Sequence, residues 1–188
     1  DTDRSRGLGD VYKRQGYDLT HPNFYNSAMT GTRISRFWDQ LSPDSIGSSL
    51  YVGADYRTEA DILRYAHSFD ASIETHGTHT LGIAAGTGYD TPYRGIAPDA
   101  DLCLVSNVVN TDLPLIPEHL LYKYTSATDA LGFKYIFDYA GEVGKPCVIS
   151  FSEGSNDGFD GELELFYQVL ASMTGCLLYT SDAADDKA

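Results

Sequence analysis

The 188-residue sequence has few cysteines, few cations and no long apolar run. Its three cysteines are an odd number and too few for the disulfide framework of a small secreted scaffold. With 13 Lys and Arg against 27 Asp and Glu, the formal net charge is −14, which repels phosphate backbones and anionic lipid headgroups. No run approaches the roughly 18 apolar residues of a bilayer span. These absences argue against nucleic-acid partners and against membrane binding.

A hydrophobic content of 42%, with 12% aromatic residues, is typical of one ordinary globular domain. The two ends of the chain differ from its middle, because 1–15 and 181–188 have neither helical nor strand periodicity. Both ends also resemble translated sequencing-adapter read-through. We therefore expect 1–15 and 176–188 to be non-native tails flanking a folded part, 16–175, although two natural flexible tails are the open alternative.

Two short apolar runs, 100–105 and 147–151, are typical of strands buried on both faces of a parallel sheet. Between them, apolar residues recur at three- and four-residue spacing over 127–140, which predicts a helix. The same spacing predicts a helix over about 162–173, and a shorter one is expected at 59–66. Because strand and helix alternate, the sequence predicts an α/β domain with parallel strands.

Small residues dominate the segment 74–86, Glu-Thr-His-Gly-Thr-His-Thr-Leu-Gly-Ile-Ala-Ala-Gly. Glycine lowers helix propensity, so a helix with this composition indicates close packing that admits only small side chains, and we predict a buried helix. His76 and His79 lie at its N-terminus, where the helix dipole disfavours a charged imidazolium. A neutral imidazole near pH 7 is suited to act as a general base.

The residues alone leave three interpretations of this histidine pair open. Zinc would need a third ligand and is more often bound by a His-Glu-x-x-His motif, whereas Gly77 and Thr78 separate these two histidines. Two hydrogen-bonded histidines of the core are the second interpretation. The third is a catalytic base with a structural companion.

Four motifs of this sequence resemble those of subtilisin-like serine peptidases. His-Gly-Thr-His-Thr-Leu-Gly-Ile-Ala-Ala-Gly (76–86) is similar to the helix that bears the catalytic histidine, and 94–102 is similar to the turn and strand that follow it. The segment 16–24 resembles the stretch just after the catalytic aspartate, and 146–154 resembles the substrate-lining strand. The motifs occur in the family's order and with its spacing, and together they cover most of 16–154.

The resemblance implies a parallel-sheet subtilisin-like α/β core with helices on both faces, truncated at both ends. It also implies a Ser-His-Asp triad that hydrolyses peptide bonds of peptide or protein substrates. On this mapping His76 is the base and His79 is structural, while Ser152, Glu153 and Gly154 pair through their backbones with an extended substrate. No cofactor takes part and no metal ligand is assigned, although the family often binds calcium through loop carboxylates. Family habit implies a secreted or cell-envelope protein.

The sequence departs from the family at two of the three triad positions. Asp-Thr should precede Gly16, but the residues there are Arg14 and Gln15. Neither the Gly-Asn segment of the oxyanion hole nor the Gly-Thr-Ser nucleophile turn occurs before Ala188. We therefore expect a peptidase fragment that holds only the histidine and is inactive by itself. The rival interpretation is a non-catalytic α/β binding module of similar fold.

Overall fold

The computed structural model describes residues 7–12, 16–47, 50–70, 75–152, 161–173 and 178–182. Within them the chain forms one sheet with two helices on each face. The strands are β1 Gly7–Tyr12, β2 Ile34–Asp39, β3 Ala54–Tyr56, β4 Leu102–Ser106, β5 Cys147–Ser152 and β6 Leu178–Asp182. The helices are α1 Glu59–Tyr65, α2 His76–Ala85, α3 Ser126–Val143 and α4 Gly161–Met173.

The strand order across the sheet is β3-β2-β4-β1-β5-β6. Every neighbouring pair is parallel except β2 with β3, which is antiparallel at one edge. β1 lies between β4 and β5, so that Gly9 is paired with Cys103 on one side and with Ile149 on the other. This arrangement confirms the expected α/β fold with a parallel sheet.

Strands β1 and β6 lie in segments for which the sequence predicted no regular structure. That expectation is corrected here, because Gly7–Tyr12 pairs with both of its neighbours and Leu178–Asp182 extends the sheet beyond β5. Strand pairing uses main-chain N–H and C=O groups, so a segment without side-chain periodicity can still occupy a place in a sheet. That 1–15 and 176–188 are non-native remains a prediction.

The side chains of β4 alternate between two apolar clusters. Leu102 and Leu104 pack in the cluster that includes residues of α1 and α2, whereas Cys103 and Val105 pack in the cluster on the side of α3 and α4. All four side chains are buried, as is usual for a central parallel strand covered by helices on both faces. Cys103 is a free thiol, as its place in an apolar run predicts.

Two of the predicted helices begin and end close to the expected residues. The Thr58 hydroxyl caps α1 by accepting a hydrogen bond from the Asp61 N–H at 3.1 Å. Helix α3 ends at Gly144, whose φ of 65° is the left-handed conformation that glycine adopts without a steric penalty. The lengths of α1, α3 and α4 therefore follow from capping residues and apolar spacing that are visible in the sequence.

Helix α2 is only partly buried, which corrects the expectation of a buried helix. Its buried residues Gly77, Leu81 and Ala85 are spaced four apart and form one stripe. Ile83 lies off that stripe with 61% of its side chain exposed. A stripe of small residues lets one face of a helix approach the sheet closely, but that composition does not require the opposite face to be covered.

The orientation of α2 predicts unequal effects for two neighbouring apolar residues. Leu81→Ala removes a fully buried side chain and should lower the free energy of unfolding by about 2–5 kcal/mol. Ile83→Ala removes an exposed one and should change it by no more than about 0.5 kcal/mol. Urea unfolding followed by circular dichroism measures both, and equal destabilisation by the two substitutions would show that α2 is oriented differently.

Candidate active site

His76 is the first residue of α2, and its side chain is exposed. His79 lies one turn later and is exposed as well. The structural role of His79 that the family mapping implies therefore stays a prediction. Both rings are accessible to solvent, and His76 is the one at the positive end of the helix dipole.

The chain just after β1 is held against the start of α2. The Thr78 hydroxyl donates a hydrogen bond to the Gly16 carbonyl at 2.9 Å and accepts one from the Asp18 N–H at 2.7 Å. On its other side the same segment is held by Asp70, whose carboxylate accepts a hydrogen bond from the Gly16 N–H at 3.2 Å. These bonds place the N-terminus of α2, with His76, beside the chain that leaves the carboxyl end of β1.

The carboxyl ends of parallel strands lie along one edge of a sheet, and ligands of open α/β folds bind there. In this protein β2 ends at Asp39, β4 at Ser106 and β5 at Ser152. Asp39 and Ser106 are register partners on adjacent strands. The edge that α2 approaches therefore carries polar residues at the end of each of these three strands.

Asp39 is a fully buried carboxylate at this edge, and the sequence analysis assigned it no role. It accepts hydrogen bonds from the Leu41 N–H at 2.9 Å, the Phe69 N–H at 2.7 Å and the Tyr65 hydroxyl at 2.9 Å. Burial raises the pKa of Asp39 to about 7; the Phe69 amide opposes this shift and the nearby Asp70 adds to it. An acid directly after the aromatic pair Phe37 and Trp38 was the sequence signal that could have identified it.

The predicted substrate-binding residues are described only in part. Ser152 is the last residue of β5, and its backbone pairs along the strand. Glu153 and Gly154 lie outside the described residues, as does Glu74. The assignment of Ser152, Glu153 and Gly154 to substrate binding therefore remains a prediction.

No group of three or more His, Cys, Asp or Glu side chains is placed to hold a metal ion in the part of the chain that the structure describes. The zinc interpretation of His76 and His79 thus gains no third ligand from these residues.

None of the described helices combines the length and the apolar character that crossing a bilayer requires. In the same described part, the Ser106 hydroxyl is buried without a hydrogen-bond partner.

Two solved protease structures share the parallel α/β fold of this chain. The CspB protease of Clostridium perfringens superposes with a TM-score of 0.64 at 21% identity, covering 94% of this chain and 36% of that protein. Sphericase superposes with a TM-score of 0.56 at 19% identity, covering 94% of this chain and 46% of its own. The chain thus spans less than half the length of either structure. No protein-family model matches it, and a search of curated proteins finds no match.

Because the pKa of Asp39 is raised, we expect the free energy of unfolding to depend on pH. Its carboxyl has an ordinary value of 3.8 and a pKa of about 7 in the folded protein, so the folded state binds the proton more tightly than the unfolded state. The stability contributed by protonation is complete below about pH 4 and is lost as the pH rises through about 7. Between these limits the loss has an upper limit of about 1.4 kcal/mol per pH unit.

Urea unfolding of the unsubstituted chain and of Asp39→Asn at pH 5 and pH 8 isolates this contribution. We expect the unfolding free energy of the unsubstituted chain, relative to Asp39→Asn, to be smaller at pH 8 than at pH 5. An equal difference at both pH values, or a larger one at pH 8, would contradict a raised pKa at Asp39.

Proposed function

We propose that this chain is part of a serine endopeptidase domain of the subtilisin type and that His76 is its general base. The observation that carries the proposal is the position of His76: it opens α2, and Thr78 of the same helix turn is bonded to the chain that follows β1. In the family motif the acid comes from that chain, two residues before the glycine that matches Gly16. A fold shared with two proteases, CspB and sphericase, supports the proposal.

The proposed chemistry follows from the placement of the ring. An exposed imidazole can reach a serine hydroxyl presented by another part of the domain and can take its proton as the oxygen attacks the peptide carbonyl. The same ring then returns the proton to the leaving amine. This sequence of proton transfers needs no cofactor, and any calcium ion in the intact protein would be structural.

The nucleophile and the acid are proposed to lie outside the native part of this chain. Arg14 and Gln15 occupy the positions where the family has Asp-Thr, and no nucleophile motif is present in the sequence. Two exposed isoleucines, Ile83 at 61% and Ile96 at 90%, adjoin each other at the end of α2, where the Ile96 N–H donates to the Ile83 carbonyl. We propose that further chain of a longer protein covers this surface. From the resemblance of both ends to translated adapter read-through, we also propose that 16–175 is native and that 1–15 and 176–188 are not.

The substrate is proposed to be an extended peptide or protein segment. Ser152, Glu153 and Gly154 follow the apolar part of β5, and their main-chain groups would pair with the substrate as an added strand. Peptide substrates of this kind fit a secreted or cell-envelope protein, which is the location we propose. The net charge of −14 disfavours anionic polymers as substrates.

A non-catalytic binding module of the same fold is the second candidate function. The observation that favours it is the pair Arg14 and Gln15 at the positions of the acid motif. The longer reading frame separates the two candidates. Asp-Thr directly before Gly16, together with a Gly-Thr-Ser turn downstream, would identify the enzyme, whereas a natural boundary at Gln15 would identify the module.

The enzyme proposal predicts different effects for the two histidines. In the protein encoded by the longer reading frame, His76→Ala should slow labelling of the nucleophilic serine by a fluorophosphonate probe by at least about a thousandfold, because the base is lost. His79→Ala is the matched control, and labelling should stay within about tenfold of the unsubstituted protein. Mass spectrometry of the labelled peptide gives both rates.

The 188-residue chain itself should remain unlabelled, since it carries no nucleophile motif. Equal loss of labelling in His76→Ala and His79→Ala, with unchanged melting temperatures, would contradict the assignment of the base. Stoichiometric labelling of a serine in the 188-residue chain would contradict the proposal that the nucleophile lies elsewhere.

A further inference from the structure

Thr78 makes hydrogen bonds that do not belong to its own helix. Its hydroxyl oxygen accepts from the Asp18 N–H at 2.7 Å while its proton is donated to the Gly16 carbonyl at 2.9 Å. The hydroxyl therefore uses both its donor and an acceptor site on one short stretch of chain. Threonines in helices often bond instead to carbonyls of the preceding turn, as Thr80 does with the His76 and Gly77 carbonyls at 3.0 and 3.2 Å.

The stretch that Thr78 binds is fixed on its opposite side as well. The Tyr17 N–H donates to the Ser68 hydroxyl at 2.8 Å, and the Ser68 N–H returns a hydrogen bond to the Tyr17 carbonyl at 3.0 Å. The Leu19 N–H donates to the Ala66 carbonyl at 2.8 Å. Tyr17 and Leu19 are completely buried. These hydrogen bonds and this burial hold the segment 16–19 in place. Because Thr78 bonds to the same segment, they also restrict the position of α2.

We propose that Thr78 is a positioning residue: its hydroxyl sets the location of His76 relative to the chain that enters Gly16. His76 and Thr78 belong to the same turn of α2, so fixing one fixes the backbone of the other. The proposal rests on the proposed function, in which the acid that orients His76 is supplied two residues before Gly16. A displacement of about 1 Å between catalytic groups can lower the reaction rate about a hundredfold. A direct hydrogen bond between the two segments restricts such a displacement.

The hydroxyl group is the part of Thr78 that makes both hydrogen bonds. Serine carries the same hydroxyl, so Thr78→Ser keeps both hydrogen bonds. Valine has nearly the same shape without the hydroxyl, so Thr78→Val leaves the Asp18 N–H without its acceptor and the Gly16 carbonyl without its donor. Thr80→Val is the matched control, because it removes a threonine hydroxyl from the same helix but from bonds that stay within the helix.

The test restores the acid motif in the 188-residue chain with Arg14→Asp and Gln15→Thr. A carboxylate bonded to Nδ1–H of His76 favours the neutral tautomer that carries its proton on Nδ1. ¹⁵N NMR of the ring nitrogens at about pH 8 measures the ratio of the two tautomers. We expect the double substitution to raise the Nδ1–H to Nε2–H ratio of His76 about threefold, and His79 is the internal reference.

Added to this background, Thr78→Val should abolish the rise, whereas Thr78→Ser and Thr80→Val should retain it. A rise that survives Thr78→Val would overturn the positioning role and leave the assignment of His76 intact. A rise that Thr80→Val also abolishes would overturn the positioning role too, because the effect would then belong to the helix as a whole. No rise in the double substitution would contradict the pairing of acid and base, and both proposals would fall.

Amide exchange of the unsubstituted chain provides a test that does not depend on the folding of any variant. The Asp18 N–H should exchange at least about tenfold more slowly than in an unstructured peptide, because Thr78 Oγ1 accepts its hydrogen bond. Exchange at the unstructured rate would show that the hydroxyl does not hold this segment, and it would overturn the proposal.

Discussion

The burial of β4 on both faces is the constraint on which the rest of the structure depends. Its side chains alternate between the cluster under α1 and α2 and the cluster under α3 and α4, so helices must cover both sides of the sheet. Strands that helices cover on both faces are usually parallel, and the crossover connections between them make each strand begin at the same end of the sheet. The carboxyl ends of β1, β2, β4 and β5 consequently lie along one edge, and α2 begins there.

Polar side chains then fix the chain segments that meet at this edge. Asp39 ties the end of β2 to Tyr65 and to the Phe69 amide, and Thr78 ties the start of α2 to the segment after β1. Partly buried hydrogen bonds of this kind specify a geometry because leaving one of them unmade costs more than the bond contributes when formed. Fixed geometry of this kind is what the proposed role of His76 as a general base would require of its surroundings.

The elements that the sequence predicted are those whose signals are local. The run 100–105 is apolar apart from Asp101 and contributes most of β4, Leu102–Ser106, and the helical spacing over 127–140 lies within α3. β1 was missed because its place depends on main-chain pairing with β4 and β5, strands that lie far along the chain. Two of the three hydrogen-bond partners of Asp39 are 26 and 30 residues away, so its burial could not be read from its neighbours in the sequence. The exposure of α2 was missed because small residues indicate close packing of one face and give no information about the other. At the candidate site, the sequence alone was enough to predict His76. The hydrogen bonds of Thr78 could not be predicted, because their partners are 60 and 62 residues away in the chain.

Measuring whether β1 lies in the centre of the sheet is the most direct test of the strand order and of the placement of His76. Nuclear Overhauser effects between backbone protons of isotopically labelled protein report which strands are neighbours. The strand order predicts nuclear Overhauser effects from Gly9 to the residues around Cys103 and also to those around Ile149, in the pattern of parallel strands. Effects that connect β4 directly with β5, without Gly9 between them, would contradict the sheet and with it the placement of His76.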